Sequence, residues 1–211
     1  TAAITLDTGG AGVVLITADD DDDNAAATLN TTGEVNATGL VTLSGGTDND
    51  ELLDIDADVT SGGVLTLQNG NADLAANVDL TGTVVAAAAG NNLSAINLSG
   101  AGDNVITSTN GAIDVTAVTD SAAANLTLSA TTDVTMSTVT LDAGGAGNLT
   151  ATADDDDNTV ASTLTANGVI GVTGNVLLSG GTDGDDIIDV NANVTAGGAG
   201  TLTSAANVNL A

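Results

Sequence analysis

The sequence contains no lysine, arginine or histidine, no cysteine, no proline, and no phenylalanine, tyrosine or tryptophan. Each absence removes a class of chemistry. Binding to phosphate backbones and to anionic headgroups draws its affinity from Lys and Arg, so neither nucleic acid nor a membrane surface is an expected partner. No run approaches the roughly 20 apolar residues of a membrane span, and no basic, apolar signal segment opens the chain, so no membrane insertion is expected. The reading is of a soluble chain, either mature or cut from a longer precursor. Without cysteine, disulfides give no indication of compartment. Without aromatics, burial falls to Ala, Val, Leu and Ile, each worth at most about 1.5–3 kcal/mol when fully buried. Such side chains fill a wide globular core poorly. A thin core stacked layer on layer suits them better.

What is present is acidic and aliphatic. The 211 residues carry 28 Asp and Glu with nothing to oppose them, a net charge of -28, yet 42% of the chain is hydrophobic. A charge of that size favours disorder, but the aliphatic residues are too many and too well patterned for a disordered tail. Their Val, Ile and Thr content suits strands.

One stretch returns almost intact. S-G-G-T-D-N-D-E-L-L-D-I-D-A-D-V from Ser44 to Val59 recurs as S-G-G-T-D-G-D-D-I-I-D-V-N-A-N-V from Ser179 to Val194. In the first copy Leu53, Ile55, Ala57 and Val59 alternate with Asp54, Asp56 and Asp58, the period of two that sends one set inward and the other to water. In the second, Ile188, Val190, Ala192 and Val194 keep the inner set while the outer set becomes Asp189, Asn191 and Asn193. A glycine-acid turn running into a strand is expected in both. The offset from Ser44 to Ser179 is 179 − 44 = 135, and Leu6 to Leu141 gives the same value. Residues 1–140 therefore read as a first repeat unit and 141–211 as a partial second unit continuous with it, a window on a tandem array.

Within the unit, short apolar runs such as 40–46, 64–70, 96–100, 113–116, 126–129 and 134–137 are separated by Gly, Asn and Asp turns, and no stretch shows a helical period. Ala86 to Ala89 follows two valines and ends at Gly90, which reads as a small-residue strand or corner. Turns this frequent indicate an all-β fold. Two architectures compete. A parallel β-solenoid (β-helix) with roughly 20–25 residues per coil accommodates the unit as about six coils, and a tandem β-sandwich is the alternative. Sandwiches are usually anchored by a Trp or Tyr, so the missing aromatics favour the solenoid. In composition and patterning the whole chain resembles the repeat regions of large bacterial or archaeal surface proteins, the haemagglutinin-like and autotransporter-like β-solenoids. That resemblance implies an exported, filamentous and often adhesive protein.

Two acidic features are metal candidates. The runs Asp19, Asp20, Asp21, Asp22, Asp23 and Asp154, Asp155, Asp156, Asp157 place adjacent carboxylates in mutual repulsion, which a hard cation with six to eight oxygen ligands relieves, and calcium is the expected ion. A solvated acidic loop is the plain alternative. The glycine-acid turns resemble the repeats-in-toxin nonapeptide G-G-x-G-x-D-x-U-x. Gly45, Gly46, Asp50 and Leu52 fit, as do Gly180, Gly181, Asp185 and Ile187, with Asp48 and Asp183 in place of the fourth-position glycine. The resemblance implies calcium between successive turns and adds Asp48, Asp50, Asp183, Asp185 and Asp186 to the candidates. Each turn stands alone in the sequence, so each supplies half a site, and calcium binding is expected to be weak. A corner whose carboxylates cap turn amides is the competing reading.

Other motifs are weaker. Asp7-Thr8-Gly9 spells the aspartic-protease triplet, but its repeat reads Asp142-Ala143-Gly144, and that chemistry needs two carboxylates sharing a proton. Polysaccharide cleavage on a β-solenoid leans on Lys, Arg or His, all absent. No enzymatic activity is expected. Asn30, Asn36, Asn92, Asn97, Asn125, Asn148 and Asn193 begin N-x-S/T triplets that arise by chance in such a composition. Thr-x-Thr pairs as at Thr150 to Thr152 form no long ice-binding array. The function read from the sequence is a structural segment of an extracellular filament or cell-surface fibre, self-associating and stiffened by divalent cations. The alternative is an adhesin-type module binding glycans, cells or mineral surfaces.

Overall fold

The computed structural model describes residues 4–6, 12–18, 26–45, 51–68, 71–74, 80–88, 91–98, 102–108, 111–156, 160–182 and 184–211. Among them are 22 strands and no helix, so no helix is long and apolar enough to cross a membrane. The described strands pair only in parallel, those within the stack with the strand about one coil before and one coil after and those of the end coils on one side. A parallel β-solenoid results. The tandem β-sandwich is overturned, because its antiparallel hairpins occur nowhere among the described strands.

Each coil contributes to three faces, typified by Val41–Ser44, Leu52–Ile55 and the start of Val59–Gln68. On the first face Ile16, Leu43, Leu67, Ala86, Ile106, Leu128, Ala151, Leu178 and Leu202 occupy one position in successive coils. The third face stacks Ile4, Val35, Val59, Leu80, Ile96, Val118, Val139, Ile170 and Val194. On the second, Val134, Leu164, Ile188 and Val208 follow in the same way from Ile113. Inward residues of all three faces form one aliphatic core, with Leu43, Leu53, Val59, Leu128, Val139 and Ile188 fully buried. Alternation within each strand fills it, and parallel pairing sets each aliphatic residue about 4.8 Å from its counterpart in the next coil.

The repeat unit is six coils. Leu15, Thr42, Thr66, Val85, Val105, Thr127 and Thr150 occupy one position in consecutive coils, and Thr150 is the counterpart of Leu15 in the second repeat. Coil length runs both below and above the expected range. The step from Thr66 to Val85 is the shortest on this face, and those from Leu15 to Thr42 and from Thr150 to Leu177 are the longest. Both of the longest coils carry an acidic run, whose extra residues leave the pairing register intact.

The stretch expected as one strand from the glycine-acid turn to Val59 is two. Leu52–Ile55 ends at a corner formed by residues 56–58, and the next strand starts at Val59. A coil must turn to bring its third face round, and Asp56 N donates to Thr31 O of the coil before at 3.1 Å, which stacks the corners. The period of two survives the bend, so Leu53, Ile55 and Val59 are buried while Ala57 is half-buried. Residues 86–88, read as a small-residue strand, are the end of Leu80–Ala88; Ala89 lies outside the described residues.

Leu128→Ala is expected to lower stability by about 2–5 kcal/mol, the usual cost of a cavity in an aliphatic core. Leu177→Ala, on the outer side of the strand two coils further on and 38% exposed, is expected to change it by less than about 0.5 kcal/mol. Urea titrations followed by circular dichroism check the pair, and equal midpoints for the two variants would contradict the assigned inner face.

Candidate metal centre at the acidic corner

Parallel pairing brings together two features far apart in the sequence. Leu149–Thr152 pairs with Val176–Ser179 so that Thr152 lies beside Ser179. The acidic run leaving the first strand and the glycine-acid turn leaving the second therefore start at the same corner, one coil apart. Ala153 N donates to Ser179 O at 3.0 Å, and Gly180 N donates to Thr203 O of the following coil at 3.0 Å. The acidic run then folds back toward the preceding coil, with Asp154 N donating to Thr132 O at 3.1 Å and Asp155 N to Ala130 O at 2.9 Å. The first repeat starts its corner in the same way: Thr17 lies beside Ser44, Ala18 N donates to Ser44 O at 3.0 Å, and Gly45 N donates to Gln68 O at 3.0 Å. In both repeats, then, the glycine-acid turn leaves a strand stacked against the one that an acidic run leaves.

The candidate residues separate by burial. Asp155, Asp156 and Asp185 are exposed, and Asp155 accepts a hydrogen bond from the Ser129 hydroxyl. Asp154 is 2% exposed and Asp186 is 0% exposed. Asp186 Oδ1 accepts from Ser162 N at 3.1 Å and its carbonyl accepts from Ser204 Oγ at 2.7 Å, but its buried Oδ2 has no hydrogen-bond donor. Both acids border Gly181, which adopts φ +100°, a conformation that L side chains rarely take. A Cβ there would collide with Asp186 Oδ2 and stand 3.1 Å from Asp154 Cβ. Only a residue without a side chain leaves room here for Asp186 Oδ2 and the β-carbon of Asp154. Among the described residues no group of three or more acidic side chains forms a ready ligand set. Asp19, Asp20, Asp21, Asp22, Asp23, Asp48, Asp50, Asp157 and Asp183 lie outside the described residues.

The sequence pattern does not single out Glu51, which is 0% exposed and occupies in the first repeat the place Asp186 holds in the second. The available signal was an acid present at that position in both copies. Nor does it reveal an asparagine ladder. Asn125 Oδ1 accepts from Asn148 N at 3.1 Å and Nδ2 at 2.8 Å, Asn148 Oδ1 accepts from Asn175 N at 2.8 Å, and Asn175 Oδ1 accepts from Ala199 N at 2.8 Å. Two residues read as chance N-x-S/T triplets thus belong to a column of corner amides linking successive coils.

Several other carboxylates cap backbone or amide groups, as the competing reading of the acidic corners supposed. Asp133 Oδ1 accepts from Thr163 N at 2.7 Å, and Asp120 Oδ1 accepts from Asp142 N at 2.9 Å and Ala143 N at 3.1 Å. Asp54 accepts from Asn30 Nδ2 at 2.8 Å and Asp189 from Asn209 Nδ2 at 2.5 Å. Of the protease-like triplets, Asp7, Thr8 and Gly9 lie outside the described residues. The strands that precede the two triplets, at Thr5 and Thr140, are six rungs apart along one face, about 29 Å at roughly 4.8 Å per rung.

Gly181→Ala is expected to destabilise the fold by about 1–3 kcal/mol through backbone strain and the clash with Asp186. Gly184→Ala, whose Cβ meets nothing within 4 Å, serves as its control. Thermal melts of the two variants side by side check this, and indistinguishable melts would refute the close approach at Gly181.

The chain matches no family model, no curated protein and no solved structure at a meaningful level. The assignment as a parallel β-solenoid with an acidic corner rests on its own residues.

Proposed function

We propose that the chain is a structural segment of an extracellular filament or cell-surface fibre, stiffened by calcium at its acidic corners and able to self-associate. The observation that carries this reading is the continuous stack: parallel ladders run through coil after coil, and the repeat unit returns to the same place after six of them. Six rungs advance the axis by about 29 Å, so length scales with the number of units while the cross-section stays constant.

The last coil shows what an uncovered edge of the stack presents. Leu202, Val208 and Leu210 continue the inner ladders yet are 38%, 40% and 70% exposed in that order, and the strands that carry them pair on one side alone. Such an edge accepts a further coil of the same kind, whether from a continuation of the chain or from another copy. The net charge of -28 opposes indiscriminate side-by-side contact and makes lateral packing depend on cations. Having no Lys or Arg, the segment offers trypsin-like proteases no cleavage site, in keeping with an exposed location outside the cell. A structural role assigns no catalysis to these residues.

Electron microscopy of the concentrated chain, with calcium and with chelator, checks the reading. Fibres of uniform narrow width are expected, lengthening with concentration and bundling with calcium. Particles that stay monomeric at every concentration, combined with saturable binding of a glycan, would replace it with the adhesin-type module.

A further inference from the structure

The charge balance of the corner points to a specific occupant. Asp154 and Asp186 are both buried, and the chain holds no Lys, Arg or His anywhere to neutralise them. Withdrawing carboxylates from water is costly unless a cation accompanies them, so the compensating charge has to come from solution. Asp186 is anchored through Oδ1 by the backbone of Ser162, and its carbonyl is held by Ser204 of the following coil. Its remaining oxygen, Oδ2, is buried and has no donor; it lies against Gly181, as does the β-carbon of Asp154. A hydrogen-bonding ligand would suit a single carboxylate, whereas two buried acids against one glycine, in a chain without cationic side chains, suit a hard cation with oxygen ligands.

We propose that Asp154 and Asp186 form a calcium site that latches one coil to the next, the acidic run supplying one carboxylate and the glycine-acid turn the other. This deepens the calcium part of the filament reading and rests on it, but it concerns a single chain and needs no fibre. Two carboxylates provide only part of the six to eight oxygens calcium takes, so water completes the shell and affinity falls in the range of extracellular modules, on the order of 0.1–1 mM. Gly181 permits the approach, and the pairing of Thr152 with Ser179 sets the two loops at one corner, one coil apart. The exposed Asp155, Asp156 and Asp185 raise the local cation concentration without being required as ligands.

The test is a calcium titration of the dilute, monomeric full chain by calorimetry, with thermal melts in calcium, in magnesium and in sodium chloride of equal ionic strength. The wild type is expected to show saturable calcium binding and a calcium-specific rise in melting temperature of about 2–4 °C, the shift that a ligand at a few times its Kd gives a chain of this size. Asp154→Asn and Asp186→Asn are each expected to weaken binding at this site at least tenfold, and Asp114→Asn, on the outer side of a different coil, is expected to leave it unchanged. Should an Asn variant fail to fold, terbium luminescence of the wild type decides instead: displacement by calcium but not by equimolar magnesium upholds the site, and displacement by both alike overturns it. Three further results would overturn the latch: no saturable binding, a stabilisation that sodium chloride reproduces, or either Asn variant binding calcium like the wild type. Fibres bear on the filament reading alone, since saturable binding lost in both Asn variants upholds the latch without them and its absence defeats the latch with them.

Discussion

Parallel backbone pairing along one axis is the constraint on which the rest of this molecule depends. Such pairing sets each residue about 4.8 Å from its counterpart one coil away, so any property of a position is repeated or opposed along a column. Inward, the consequence is favourable: Leu128 rests between Ile106 and Ala151, and side chains no larger than leucine or methionine close a core that is only one coil wide. The absence of aromatics is therefore tolerable, because no point in such a core lies far from a strand.

Outward, the same stacking is a liability, since a column of carboxylates would place like charges in successive coils. One outward column instead mixes acids with amides and hydroxyls, with Asp54 beside Asp73 as its adjacent acid pair. Asp54 lies beside Asn30 and accepts from it, Asp189 does the same with Asn209, and Asp114 lies beside Thr135. At the corners the asparagine ladder through Asn125, Asn148 and Asn175 bonds side-chain oxygen to the next backbone amide. A side-chain amide suits this position because it both donates and accepts, whereas a carboxylate only accepts. The abundance of Asn in the sequence has this structural use.

Where that compensation stops, the corner at Gly181 begins. Asp154 and Asp186 are the buried acids at which two loops meet, and Glu51 marks the equivalent place of Asp186 one repeat earlier. Both acidic runs lie in the longest coils of their face. The extra length is accommodated outside the paired strands, in loops that can approach the neighbouring turn without disturbing the core ladders. Variation in coil length and constancy of register thus have one origin: pairing fixes the strands, and the corners absorb what is left over.

Much of the fold was legible in the sequence. Alternation in Leu53 and Ile55, the long-period return and the missing aromatics led to strands, six coils and a solenoid, because periodicity and side-chain size act locally and survive any later folding. The candidate acids were legible as well, by type and by recurrence. Their grouping was not. Asp154 and Asp186 belong to different coils, and nothing in a linear reading says that the acidic run faces the turn of the coil after it. The corner that divides Leu52–Ile55 from Val59–Gln68 was equally hidden, since a bend that preserves alternation leaves no trace in the pattern. Residue types and their period chose the kind of layer. Only the pairing of distant strands, a long-range hydrogen-bond register, decided which acids share a corner and which of them lose contact with water.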